Sequence, residues 1–257
     1  MRIIISPSKT QKFNGRACDT YTLPLLQKKT TTLMDRLKVL KRTEIATLMK
    51  TSAQLTEATA RMIKGFSLPF SLQNSAQALF TMQGDAYKML NAEHYTDEQL
   101  VYAQNHLFIL SGLYGILRPL DLMQPYRLEM GCPLTTGDSS NLYLFWRETL
   151  TDIIRRDLAE KGERVVVNLA SKEYSTVLDA QKLQAEMVTI HFQQLHNGQR
   201  KTIPIYAKRA RGLMLHFAIS EQIDAVATLK EFTGDGYCYN DEGSTEKEWL
   251  FIQKEPS

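Results

Sequence analysis

The stretch "LSGLYGILRPLDLMQPYRLEM", Leu110 to Met130, decides how this chain divides into elements. It is too apolar for a solvated loop and too rich in glycine and proline for a helix. Gly112 and Gly115 stand three apart around Leu113 and Tyr114, a pattern that suits a hairpin whose backbone approaches something closely. Arg118 follows, restricted by Pro119. Arg127 adds a planar guanidinium suited to bidentate phosphate contact, with Asp121 and Glu129 as carboxylates that would orient the arginines. Two readings stand side by side. In one, the segment is a rigid shelf whose amides meet a phosphate. In the other, a buried arginine–carboxylate network pins an irregular segment to the core. Leu113, Ile116, Leu120, Leu122 and Met123 demand packing in either case.

Working outward, Thr96-Asp97-Glu98 is an acidic helix start. It runs into "LVYAQNHLFIL", whose apolar second half reads as a buried strand. Further upstream, "GDAYKML" (84–90) is a short helix, and helices follow Ser52 and Thr43. Thr22-Leu23-Pro24 opens another, with Leu26, Leu33, Leu37 and Leu40 at helical spacing. Residues 2–6 form a β-branched strand that ends at Ser6-Pro7. Downstream, Asn141 to Glu160 is the clearest helix, with Leu144, Leu150, Ile154 and Leu158 as its inner stripe. "RVVVNLAS" (164–171) is a second buried strand, and a helix begins at the "EYSTVL" after it. The stretch around His196-Asn197-Gly198 alternates like a hairpin. "KRARGLMLHFAISEQI" (208–223) is helical, and "GYCYNDEGSTEKEWLFIQ" (236–253) is a final hairpin. With no repeat and no linker, the pattern predicts one mixed α/β domain over residues 1–257, a central mixed β-sheet surrounded by helices.

Composition excludes several classes. No apolar run approaches the roughly 20 residues that cross a bilayer, and the three isoleucines at 3–5 are too few for a signal sequence. A cytoplasmic location with no membrane partner is expected. Cys18, Cys132 and Cys238 are odd in number and far apart, so free thiols are expected. His94, His106, His191, His196 and His216 lack metal-ligand spacing, so neither metal nor cofactor is expected. The net charge of +3 is too small to announce nucleic acid, but its distribution is uneven. Residues 28–64 are basic and residues 235–255 acidic, which would leave one side of the folded surface positive.

Three further stretches carry candidate chemistry. In "SPSKT" (6–10), Ser6, Ser8, Lys9 and Thr10 leave a strand where sheets commonly open onto a ligand. Lysine with hydroxyls and amides can hold a phosphate, though the glycines of a P-loop are absent. In "VVVNLASKEY" (165–174), Asn168, Ser171, Glu173 and Tyr174 could face the first turn across a crevice. A helix cap at Ser171 explains the same residues. In "YAKRARGLM" (206–214), Lys208 and Arg211 share a helix face while Arg209 points elsewhere. Cations at a helix start oppose the macrodipole, so three of them there argue for an anionic partner.

These four motifs, in this order and at these separations, resemble the YaaA family of bacterial peroxide-stress resistance proteins over essentially the whole chain. The resemblance implies a cytoplasmic protein that limits unincorporated iron and the oxidative damage it promotes. It further implies DNA binding through a positively charged cleft and a helix-hairpin-helix element. That element's glycine–apolar–glycine core matches Gly112-Leu113-Tyr114-Gly115, although Arg118-Pro119 interrupts its second helix. The combined expectation is phosphate contact, with double-stranded or distorted DNA, at Lys9, Gly112, Leu113, Tyr114, Gly115, Arg118, Arg127, Lys208, Arg209 and Arg211. The rival reading is an enzyme acting on a nucleotide or nucleobase. It would use a pocket of Ser6, Asn168, Ser171, Tyr174 and Glu129, with Lys9 as nucleophile or phosphate clamp and Glu173 as general base.

Overall fold

A β-branched run buried on both faces belongs inside a sheet, and both such runs in this chain lie there, side by side. The structure is a computed structural model that describes residues 1–13, 19–196 and 198–253. Cys18, Asn197 and the last four residues of the acidic tail lie outside the described residues. The chain enters at β1 (Arg2–Ile5) and continues through helices α1 (Gln27–Lys38), α2 (Arg42–Met49) and α3 (Ala53–Gly65). Short β2 (Ala76–Gln77) and α4 (Ala78–Thr81) precede α5 (Asp85–Leu90) and α6 (Asp97–His106). Then come β3 (Leu107–Ser111), β4 (Gly115–Leu117), β5 (Leu122–Met123) and α7 (Leu142–Glu160). The last third holds β6 (Val165–Leu169), one-turn α8 (Lys172–Ser175), β7 (Glu186–His196), β8 (Gln199–Lys201) and α9 (Pro204–Ser220). The hairpin of β9 (Tyr237–Tyr239) and β10 (Glu248–Gln253) closes the sheet.

Strands β3, β1, β6, β7 and β10 run parallel in that order, and β4, β8 and β9 add antiparallel pairings to β3, β7 and β10. The sheet is therefore mixed, as expected, and helices surround it in one α/β domain. From β1 the next strand of this sheet is β3, on one side; from β6 it is β7, on the other. Connections that diverge between adjacent parallel strands leave a crevice outside their carboxyl ends. Here those ends are Ile5 and Leu169, so "SPSKT" and "ASKEY" emerge together at the rim.

The opening stretch is a β-hairpin, not part of a helix-hairpin-helix. Ser111 to Gly115 connects β3 to β4, and all five residues are buried. Tyr114 N–H donates to Ser111 Oγ at 3.0 Å, Ile116 N–H to Tyr114 O at 2.9 Å, and Trp146 Nε1–H to Gly112 O at 2.9 Å. What the glycines approach is the chain itself. A Cβ on Gly112 would lie 2.3 Å from Leu128 O, and one on Gly115 (φ +71°) 2.8 Å from the Trp146 ring. The amides of Gly112, Leu113, Tyr114 and Gly115 are thus sealed from any phosphate. Helices α2 and α3 are joined through Lys50, which is left-handed at φ 50°.

Three local expectations shift for identifiable reasons. Helix α1 begins at Gln27, not at Thr22, because Thr22 is extended and exchanges backbone bonds with Leu120 and Leu122. Leu144 is 54% exposed, since the buried stripe of α7 runs through Leu142, Trp146, Leu150, Ile154 and Leu158 at spacing four. Helix α9 starts earlier than expected, with Pro204 in its first turn. Lys208, Arg209 and Arg211 therefore sit in its second turn, where opposition to the macrodipole has faded.

Candidate functional site

The crevice between the ends of β1 and β6 has a volume of about 400 Å³. One wall is the turn from Ser6 to Thr10, the second is Ser171, Glu173 and Tyr174, and the third is α5 and α9. The turn is fixed by its own polar groups. Thr10 N–H donates to Ser8 Oγ at 3.1 Å, Gln83 N–H to Thr10 O at 3.0 Å, and Tyr126 N–H to Gln11 Oε1 at 3.1 Å. Ser6 and Ser171 tie the two strand ends together. Ser171 N–H donates to Ser6 Oγ at 2.9 Å and the hydroxyls are 3.2 Å apart.

The third wall depends on one close approach. A Cβ on Gly212 would lie 2.0 Å from Ala86 O, so only glycine lets α9 come this near to α5. That contact sets Gly84, Asp85 and Tyr87 opposite Lys208 and Arg211. Tyr87 is buried and donates its hydroxyl to Ser6 O at 2.8 Å, which joins this wall to the turn. Burial pushes the phenols of Tyr87 and Tyr174 above their ordinary value, so both stay neutral hydrogen-bonding groups.

Among the cations of the crevice, Arg211 is the unusual one. It is half-buried, and its Nε–H is buried with no hydrogen-bond partner among the described residues. Burial pushes its pKa down, with no neighbouring carboxylate acting against that shift. Lys208, three residues earlier on the same helix face, is exposed. Lys9, across the crevice, is held by Glu129 at 2.6 Å. Glu129 also reaches Arg127, at 3.5 Å, and Arg127 Nε–H too is buried without a partner among the described residues. Arg127, Glu129, Gln11 and Tyr126 line a recess of about 20 Å³ beside the crevice, which admits little more than a water. Glu173 accepts from Gly131 N–H at 3.1 Å through Oε1 and thereby holds the strap that carries Glu129.

Of the sequence-predicted residues, the fold brings together Ser6, Lys9, Ser171, Glu173, Tyr174, Lys208 and Arg211, with Arg127 and Glu129 alongside. Others are elsewhere. Arg118 donates to buried Asp121 through Nε at 3.1 Å and through Nη2 at 2.9 Å, and to Leu23 O at 3.1 Å. It serves the arginine–carboxylate network and does not line the crevice. Asn168 is buried and accepts from Ala170 N–H at 2.9 Å, a strand-end role outside the crevice lining. Arg209 is exposed, lies outside the crevice lining, and is near enough to Tyr237 to act on its phenol electrostatically. Sequence reasoning missed Gly84, Asp85 and Tyr87. Their only signal was a glycine before a short helix, and nothing local said where that helix would dock.

Among the described residues no group of three or more His, Cys, Asp or Glu side chains is placed to hold a metal ion, and no helix is long and apolar enough to cross a membrane. Fold and crevice together define a mixed α/β protein with a cation-lined crevice of about 400 Å³ at a strand-order switch. Comparison with known proteins makes the assignment specific. The family described as peroxide stress protein YaaA matches residues 1–243, and the chain belongs to that family. A UPF0246 protein of Desulfotalea psychrophila is 47% identical over 98% of this chain and 97% of its own length. A UPF0246 protein of Acaryochloris marina is 43% identical over 98% and 100%, and one of Shewanella amazonensis 41% over 99% and 100%.

Proposed function

We propose that this peroxide-stress protein binds DNA without strong sequence preference, holding a phosphate and its nucleotide in the strand-end crevice, and so limits iron-driven oxidative damage. Arg211 carries the reading. A half-buried guanidinium with an unpartnered Nε–H and no ion-pair partner among the described residues is costly to keep charged, and an entering phosphate would supply the missing counter-charge. Lys208 beside it and Lys9 opposite make the crevice a concave cationic surface. Backbone contacts of this kind position a nucleic acid without reading its sequence. Exposed Arg61 and Lys64 on α3, with Lys50 between α2 and α3, supply further charge to attract the polymer. Protein cations that bind DNA displace its condensed counterions, and ferrous iron held at phosphates would be released with them.

The test is a fluorescence-anisotropy titration of a duplex at several salt concentrations. Arg211→Ala and Lys208→Ala should each weaken binding and reduce the salt slope by roughly one unit. Unchanged affinity and slope in both variants would falsify the assignment of the crevice.

A second reading, an enzyme acting on a nucleotide or nucleobase, has one observation in its favour. Glu173, Ser6, Ser171 and Tyr174 line the same crevice, and phosphate binding alone needs none of them. A volume of about 400 Å³ lies within the range of small-molecule sites. Conversion of a nucleotide panel to products by wild-type protein, lost in Glu173→Gln, is the outcome this reading requires.

A further inference from the structure

Besides Asp85 at the start of α5, the crevice is lined by a second carboxylate, Glu173, which an anion site would ordinarily exclude. Glu173 Oε1 is taken by Gly131 N–H, while Oε2 has no hydrogen-bond or ion-pair partner among the described residues. Gly131 fixes where this carboxylate sits, because even a Cβ on that glycine would come within 3.3 Å of Oε1. A negative group in the same crevice as Lys9, Lys208 and Arg211 lowers affinity for a bare phosphate. It becomes favourable only if the ligand pairs its anionic end with the cations and presents hydrogen-bond donors at its other end. Among the common nucleobases, only guanine offers two adjacent donors, N1–H and the N2 amino group, on one edge. A carboxylate accepts two parallel N–H bonds of that kind. Adenine, by contrast, places an acceptor where guanine has N1–H, and uracil and thymine have one donor between two acceptors.

The other requirements of such a ligand are met in the same crevice. Arg211 and Lys208 stand on α9, and Glu173 on the wall formed by the end of β6, so phosphate and base edge would contact different walls. Tyr87 and Tyr174, neutral and buried, add aromatic lining to the crevice, the residue type on which bases stack. The volume of about 400 Å³ suits one nucleotide.

We infer that the crevice selects a guanine nucleotide unit, with its phosphate on Arg211 and Lys208 and its N1–H/N2 edge on Glu173. This rests on the anionic-ligand reading of the crevice and deepens it, by making Glu173 the residue that sets specificity. The unit can be a free guanosine monophosphate or an unpaired guanine in a DNA strand, and the chemistry of recognition is the same.

The experiment is calorimetric titration of the full-length protein with GMP, AMP, CMP, UMP and inorganic phosphate. GMP should bind at least about tenfold more tightly than AMP, the discrimination of one good bidentate pair. Glu173→Gln, nearly isosteric and still able to accept from Gly131 N–H, should bring GMP and AMP to within about twofold, because it gives up one of the two acceptors. Arg211→Ala should weaken all nucleotides and phosphate together and leave the GMP-to-AMP ratio intact. A thermal melt of each variant checks that it is folded. A second arm compares duplexes carrying a single unpaired guanine or adenine, and preference for the former identifies DNA as the source of the unit. Equal GMP and AMP affinity in the wild type, or selectivity that survives Glu173→Gln, sinks the guanine inference and leaves the anion site standing. If no nucleotide or phosphate binds and Arg211→Ala leaves DNA affinity unchanged, both fall.

Discussion

Arg118 follows a glycine bend and Arg211 stands inside a helix beside Gly212; both read as phosphate ligands in the sequence, yet they end in opposite circumstances. Arg118 folds back on Asp121, which is fully buried and also accepts from Arg118 N–H at 2.8 Å and from Thr22 Oγ1 at 2.6 Å. Its charge is answered inside the chain. Arg211 is half-buried as well, but no carboxylate comes to it among the described residues. The first region is a closed electrostatic unit that holds an irregular segment against the sheet. The second is open: among the described residues no side chain answers the charge.

Substitutions should separate the two regions, and the largest effects belong to the closed one. Asp121→Ala removes the acceptor of four hydrogen bonds at a buried position. Chemical denaturation should show a loss of about 3–5 kcal/mol, the cost of breaking a buried pair, with DNA affinity per folded molecule unchanged. If affinity falls in step with stability, the two regions are not independent. Next, Gly112→Ala and Gly212→Ala each drive a methyl into a backbone carbonyl, with predicted destabilisation of about 1–3 kcal/mol or more. They should part company in binding. Gly212→Ala pushes α5 from α9 and weakens ligand affinity, while Gly112→Ala leaves it intact.

Arg211→Met reverses the pattern. Stability should stay within about 0.5 kcal/mol of wild type or rise, because burial already disfavours the guanidinium, while DNA and nucleotide binding fall in an anisotropy titration. A marked loss of stability there would mean that Arg211 has a structural partner after all. The smallest effect is expected at the boundary between the regions. Glu129→Gln releases Lys9 and Arg127, and should tighten binding of inorganic phosphate by about two- to fivefold, the worth of a half-exposed ion pair. Weaker binding in this variant would show that Glu129 positions Lys9 for the ligand and does not compete with it.

Much of the fold was legible along the chain. The β-branched runs at 2–5 and 165–169, the capped helix from Asn141 and the closing hairpin all follow from residue spacing and end signals, which are local. Half of the site was legible too, because polar residues directly after buried strands are a positional signal that needs no knowledge of partners. The failures were those of solvent exposure. "SGLYG" has the composition of a close-approach bend, and it is one, but sequence cannot say whether the thing approached is a ligand or Leu128 and Trp146. Leu144 misled for the same reason, since a leucine two residues from Leu142 and Trp146 points to the other side of the helix.

What the sequence determined by itself was the set of elements, the order in which they occur, and the polar chemistry waiting at two strand ends. These depend on backbone propensity and on the period of apolar residues, which neighbours in the chain dictate. Only the tertiary structure decided which charges are answered. Strand order placed β1 beside β6, Gly212 let α5 dock on α9, and burial separated the paired Arg118 from the unpaired Arg211. Each of these is a contact across more than a hundred residues or an exclusion of water, and electrostatic energy depends on both through distance and dielectric environment.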